Sequence, residues 1–243
     1  MKIVYIAAAF LAGAASLAAQ TASEYFMLGN GAYVRGDYAG AAKYYRDAIA
    51  GGGNSAELYF NAANACVKTG KKGEAVLNYL KACAQKPRLR EAQANLQIFA
   101  KDNGIALPEK TAVDMYLLEL SSFEWTAIAV CAFWASAVFL IVPLLYGKKN
   151  AAYIFAALVC AIITAASIYS LCRWNSIFNT AVALCDDVEL RYSPTANAPI
   201  AARVGEGTLA KIEARRGGFA HVRTQSGKRG WADTSKFAPV GKK

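Results

Sequence analysis

Between positions 125 and 172 the chain carries only two charged residues, Lys148 and Lys149, which divide an otherwise apolar run in two. Residues 125–146 and 151–172 are each predicted to form a helix about 33 Å long at about 1.5 Å per residue, against a hydrocarbon core of ~30 Å. Each is apolar on every side and lacks the polar stripe of a soluble core helix, so the pair reads as a membrane hairpin with residues 147–150 as its loop. Neither span contains an Asp, Glu, Lys, Arg or His, the groups on which an ion or proton path depends. Ser136, Thr164, Ser167 and Ser170 are expected to bond to their own helix backbone. Ala129, Ala132, Ala157, Ala161 and Ala165 offer small faces for close packing, within the hairpin or against other membrane proteins.

A second apolar run, from Ile3 to Leu17, follows the single charge of Lys2 and ends beside the small residues Ser16 and Ala18. Residues 1–18 therefore read as a cleaved secretory signal peptide, with an uncleaved anchor or a buried helix as the alternatives. Export of the N-terminal part, with Lys148 and Lys149 retained inside, leaves both flanking parts on the extracytoplasmic side. Residues 104–124, including Pro108, form a linker; its segment from Ala112 to Glu124 is either an interfacial amphipathic helix or a tether.

From residue 22 to 87 the apolar pattern turns helical and repeats. Tyr25, Gly29, Gly36, Ala41, Tyr45 and Ala48 recur 34 positions later as Tyr59, Ala63, Gly70, Ala75, Tyr79 and Ala82. A helix–turn–helix unit explains this: a small residue admits the partner helix, a glycine makes the turn and a tyrosine fills the space between helices. Leu89, Ala92, Leu96 and Phe99 continue at helical spacing, so residues 88–101 read as a capping helix. Two units and a cap bury little surface, which leaves a role for self-association or a partner.

After Thr180 the texture changes to short strand-like runs: residues 180–185, 187–191, 192–198, 206–223 and 226–233. Alternation over residues 219–223 places Ala220 and Val222 on one face and His221 and Arg223 on the other. Glycines at 205, 207, 217, 218 and 227 mark turns, and some sixty residues is the size of a small closed barrel.

The net charge of +10 brings nucleic acid to mind, yet the excess is spread evenly. Residues 23–106 carry eleven Lys/Arg against seven Asp/Glu, and residues 186–243 eleven against six. No nucleic-acid site is implied; a basic envelope protein facing anionic headgroups or wall polymers accounts for the balance. Cys131, Cys160 and Cys172 belong to the spans, while Cys66, Cys83 and Cys185 show neither CxxC nor metal-ligand spacing. A Cys66–Cys83 disulfide is disfavoured because the two fall at opposite ends of antiparallel helices. One histidine, His221, cannot supply a metal triad or a catalytic pair by itself, and no phosphate loop is present. No enzyme chemistry, metal or cofactor is expected.

Several resemblances follow from these motifs. Residues 29–48 (GNGAYVRGDYAGAAKYYRDA) and 62–87 (AANACVKTGKKGEAVLNYLKACAQKP) resemble the tetratricopeptide repeat (TPR) family, implying a TPR domain over residues 22–103. That resemblance implies a concave groove for an extended peptide, presenting Phe26, Asn30 and Tyr33 from the first unit and Phe60, Asn61, Asn64 and Val67 from the second. Asn30 and Asn61 match two Asn positions of the chaperone-tail-binding subset. Phe26, Glu91 and Asn95 stand where that subset carries its basic residues. Residues 180–239 resemble a bacterial SH3 (SH3b) domain through Val188–Arg191, Ser193-Pro194, Glu206-Gly207, Gly218-Phe219 and above all Gly230-Trp231. Tyr192, Phe219 and Trp231 are its candidate recognition surface, the alternative being a core place for at least one of them.

The whole order, from signal peptide through TPR units and two transmembrane helices to SH3b domain, is similar to that of the BatE proteins of Bacteroides aerotolerance (Bat) operons. The resemblance implies a multidomain membrane protein of the bacterial inner membrane, with all-α hairpins, a two-helix transmembrane hairpin and a small all-β SH3-like barrel. It also implies a non-enzymatic scaffold for envelope maintenance or stress tolerance. Its expected partners are the bilayer and von Willebrand factor A-type Bat proteins beside a MoxR-type ATPase. The alternative is an anchor that binds peptidoglycan through the SH3b domain.

Overall fold

The computed structural model describes residues 20–109, 111–117, 119–147 and 151–241. The signal-peptide reading for residues 1–18 and the loop lysines Lys148 and Lys149 lie outside them. The described residues form eight helices and a seven-stranded antiparallel sheet, divided between two compact units. One unit runs to Leu107 and resumes at Thr180; the other is Pro108–Asn179.

In the first unit, α1 (20–34), α2 (Tyr38–Ala50), α3 (Ala56–Lys68), α4 (Lys72–Gln85) and α5 (Arg90–Asp102) follow the 34-residue period. Asp37 begins α2 by accepting from the Gly40 amide at 2.8 Å, and Ser55 begins α3 by accepting from Leu58 at 3.1 Å. Gly36 and Gly70, one period apart, make the interhelical turns at φ 81° and 74°, where a side chain would be strained. Gly29 is required by contact instead: a Cβ there would lie 2.6 Å from the ring of Tyr45. The core between the repeats joins Ala32, Ala41, Ala42, Tyr45 and Ala48 to Leu58, Ala62 and Ala65.

The same unit contains β1 (Ala181–Ala183), β2 (Val188–Arg191), β3 (Ile200–Val204), β4 (Leu209–Arg216), β5 (Phe219–Thr224), β6 (Arg229–Asp233) and β7 (Phe237–Pro239), in the order β3-β2-β6-β5-β4-β1-β7. Val188, Leu190, Ala210, Ala220 and Val222 are fully buried in its core. Two strand expectations change. Residues 192–198 turn rather than extend, because Ser193-Pro194 cannot continue a ladder, and the third strand is Ile200–Val204. The expected closed barrel is a half-barrel among the described residues: β3 and β7 remain edges, the first buried only at Val204 and the second only three residues long.

The helices and the sheet meet at α4. The Gly73 amide donates to Glu206 at 2.8 Å, and a Cβ on Gly73 would lie 2.4 Å from the Ala183 carbonyl oxygen. At Gly207, with φ 83°, a Cβ would lie 2.6 Å from Ile105. The small helical array is therefore completed by the sheet rather than by a further repeat.

The second unit comprises α6 (Ala112–Leu117), α7 (Ser122–Leu145) and α8 (Ala151–Phe178). The last two are long and apolar enough to cross a membrane, with mean hydropathies of 2.5 and 2.3. α7 starts three residues before the expected span because Ser121 and Glu124 form a reciprocal capping box. α8 runs past Cys172 because the charge of Arg173 is met: its Nε donates to Asp114 at 2.9 Å, and Asp114 is buried. The Arg173 guanidinium holds the Asp114 carboxyl well below the usual carboxylate range. Thr164, Ser167 and Ser170 bond to the carbonyl four residues back. Ser136 does not: its hydroxyl donates across the hairpin to Ala157 at 3.1 Å. Ala132 and Ala157 are buried, whereas Ala161 and Ala165 are exposed. Further along α8, Ser167 and Ser170 are buried instead.

Candidate recognition surfaces

The 34-residue period builds one polar motif twice. Asn30 Oδ1 accepts from the Tyr45 hydroxyl at 2.8 Å and from Asn61 Nδ2 at 3.0 Å. One period on, Asn64 Oδ1 accepts from Tyr79 at 2.6 Å and from Asn95 Nδ2 at 3.4 Å. Each asparagine thus links three helices, and its carbonyl oxygen is consumed internally. Phe26 packs on Tyr45 with ring centroids 6.0 Å apart, and Phe60 on Tyr79 at 6.2 Å. Burial pushes the phenols of Tyr45 and Tyr79 up to about 12.

This arrangement sorts the groove residues. Asn30, Tyr33, Asn61 and Asn64 line a cavity of about 220 Å³ together with Val34 and Tyr45. Phe26 and Phe60 are half-buried supports for the tyrosines, and Val67 is half-buried outside that lining. Tyr33 leans edge-on to Tyr38 at 5.1 Å, and Lys68 Nζ stands 5.9 Å over the Tyr38 ring. With their oxygens occupied, Asn30 and Asn64 retain Nδ2 donors that meet no internal acceptor among the described residues. Such donors suit carbonyl or carboxylate oxygens. The sequence-derived groove set omits Val34, 86% exposed, and Asn95, whose place in the motif follows from Asn61 by the period itself.

On the sheet, the three candidate aromatics do not form a ring cluster. Tyr192 is exposed, Phe219 and Trp231 are half-buried, and none belongs to the core. Trp231 pairs in register with Arg191 on β2 and with His221 on β5. The imidazole lies 5.2 Å from the indole, and His221 Nδ1 is 3.1 Å from Glu213. The neighbours of His221 are thus Trp231 and Glu213. Gly230 precedes Trp231 for a steric reason, since a Cβ there would lie 2.8 Å from Leu190 and 3.0 Å from the Arg191 carbonyl oxygen. The next outward row sets Lys211, Arg223 and Arg229 opposite one another across three strands. Glu213 offsets part of that repulsion through its 2.8 Å ion pair with Arg223.

Buried Cys66 lies 3.7 Å from Glu74, and burial pushes its thiol up to about 12. A thiol so held is a poor nucleophile. Among the described residues no group of three or more His, Cys, Asp or Glu is placed to hold a metal ion.

No family model matches this chain, and no curated protein matches it.

Proposed function

We propose that this chain is a membrane-anchored, non-enzymatic envelope scaffold whose TPR-type helical groove holds a protein partner. The observation that carries this reading is the 220 Å³ cavity, where Asn30 and Asn64 keep amide donors beside the exposed side chain of Val34. A protein segment in extended conformation offers carbonyl oxygens at a spacing such donors read, and an apolar side chain for Val34. The two apolar helices supply the anchor. The order of parts favours a BatE-like scaffold of the bacterial inner membrane, acting beside von Willebrand factor A-type Bat proteins in envelope maintenance or stress tolerance. Lys148 and Lys149 between the spans favour an orientation with both flanking parts outside the cytoplasm.

Purification of the chain from its own membranes in mild detergent tests the groove. Val34→Asp, which alters the cavity without touching the asparagine–tyrosine motif, is expected to lose the co-purifying partner while the melting temperature holds. Unchanged recovery refutes the groove assignment. A reporter fused after Lys243 tests sidedness; activity in the cytoplasm refutes the orientation.

The outward Trp231–His221 pair supports a second reading, in which the SH3b-type sheet binds peptidoglycan. Retention of the solubilised chain on purified wall sacculi, lost in Trp231→Ala and kept in Val34→Asp, separates this reading from the first.

A further inference from the structure

The outer edge of α1 is built like an interface and is uncovered among the described residues. Gln20, Glu24, Met27, Leu28, Gly31 and Arg35 recur at helical spacing and form one stripe. With Tyr44 they border an open depression of about 670 Å³. Met27 is 69% and Leu28 45% exposed. One period later, the equivalents of Glu24, Leu28 and Gly31 are Leu58, Ala62 and Ala65, all buried against the first repeat. The stripe is therefore the surface that a preceding repeat would cover.

Gly31 sharpens the point. It stands inside a helix, where glycine is unfavourable, and a Cβ there would meet only the mobile guanidinium of Arg35, at 3.3 Å. Nothing else among the described residues requires it, in contrast to Gly29 under Tyr45. A bare helix surface next to Leu28 suits the close approach of another helix.

We infer that this edge pairs two copies of the chain, α1 against α1, antiparallel about a two-fold axis passing between positions 29 and 30. In that register Leu28 of each copy meets Gly31 of the other, and Glu24 meets Arg35, so the stripe is complementary to itself in both shape and charge. Neither Glu24 nor Arg35 has an ion-pair partner among the described residues. At the other end of the array the surface of α4 is already covered by α5 and the sheet, so α1 of a second copy cannot stack there. A face-to-face pair is the remaining closed arrangement.

The test is the mass of the full chain, extracted from its membranes and measured in detergent by light scattering corrected for the micelle. A dimer is expected. Glu24→Arg or Arg35→Glu alone sets like charges opposite and should raise the dissociation constant at least tenfold, whereas the two together on one chain restore opposite pairs and the dimer. Gly31→Leu should raise the melting temperature of the monomer yet abolish pairing. A monomeric wild type overturns the inference, including one whose α1 edge is protected from hydrogen exchange by the chain's own residues 1–19. So does a dimer indifferent to the single charge swaps, or a double swap no better than either alone.

Discussion

Glu206 caps a helix from 133 residues further along the chain: its Oε1 accepts from the backbone amide of Gly73, in the first turn of α4, at 2.8 Å. α4 has no cap of its own, since Lys71 occupies the N-cap position and offers no acceptor. A carboxylate at that place satisfies an orphan amide and complements the helix dipole. Replacement of Glu206 by Ala is expected to lower stability by about 1 kcal/mol, the usual worth of a cap, read from the denaturant midpoint of the first unit. Gly73→Ala should cost more and expose α4 to hydrogen exchange, because its Cβ would collide with the Ala183 carbonyl at 2.4 Å. Equal protection in wild type and Gly73→Ala would show that helices and sheet are independent.

The phenols of Tyr45 and Tyr79 make the helical array sensitive to alkali. Each ionises near 10 in an unfolded chain and at about 12 in the fold, where burial opposes the charge. Their contribution is complete below a pH of about 10 and is lost as the pH rises through the folded value. Stability of the first unit should fall between those limits, and Tyr45→Phe with Tyr79→Phe should flatten the decline. The double variant also loses two hydrogen bonds, at about 1 kcal/mol each, at neutral pH.

Removal of Asn30 tests the polar motif directly. Asn30→Ala strands the hydroxyl of Tyr45 and the amide of Asn61, and each stranded group costs about 1 to 3 kcal/mol. Asn30→Asp keeps the acceptor and should retain much of the stability. Thermal melts of the three proteins distinguish a structural asparagine from one held only for a ligand.

In the second unit, Arg173→Ala leaves the buried Asp114 carboxylate without its guanidinium and should destabilise the hairpin by about 3 kcal/mol, measured by unfolding in detergent. Replacing both residues by Leu and Met should recover most of that loss. Because the Asp114 carboxyl is held below its ordinary value, its contribution is present at neutral pH and lost only as the pH falls below the ordinary carboxylate range. Wild type should therefore weaken in acid, and the doubly apolar variant should not.

Ser136→Ala removes the one described hydroxyl bond that crosses from α7 to α8. About 0.6 kcal/mol is the expected loss, typical of such bonds within membranes. Ser167→Ala, whose hydroxyl bonds within its own helix, should cost less in the same assay.

Much of this architecture is written locally. Two apolar stretches of sufficient length make helices long and apolar enough to cross a membrane, because no polar face remains to turn toward water. The 34-residue period determines the helix–turn–helix repeat, as Gly36 and Gly70 must turn and Tyr45 and Tyr79 must fill. The same period carries the asparagine motif, since Asn30 and Asn64, like Asn61 and Asn95, are one unit apart. What only the tertiary structure decided are the relations between distant segments. Glu206 reads as a turn residue until its carboxylate is found on α4, and Ser136 reads as self-satisfied until α8 comes close enough for Ala157 to accept. Ser193-Pro194 already argues against a strand over residues 192–198, but only pairing with β2 selects Ile200–Val204 as the edge strand. Likewise Trp231 faces outward because Gly230 must press against Leu190, which puts the next side chain on the other face. Helical periods and hydropathy depend on nearby residues and can be read along the chain; caps supplied from afar, strand register and the face a side chain presents depend on which surfaces meet.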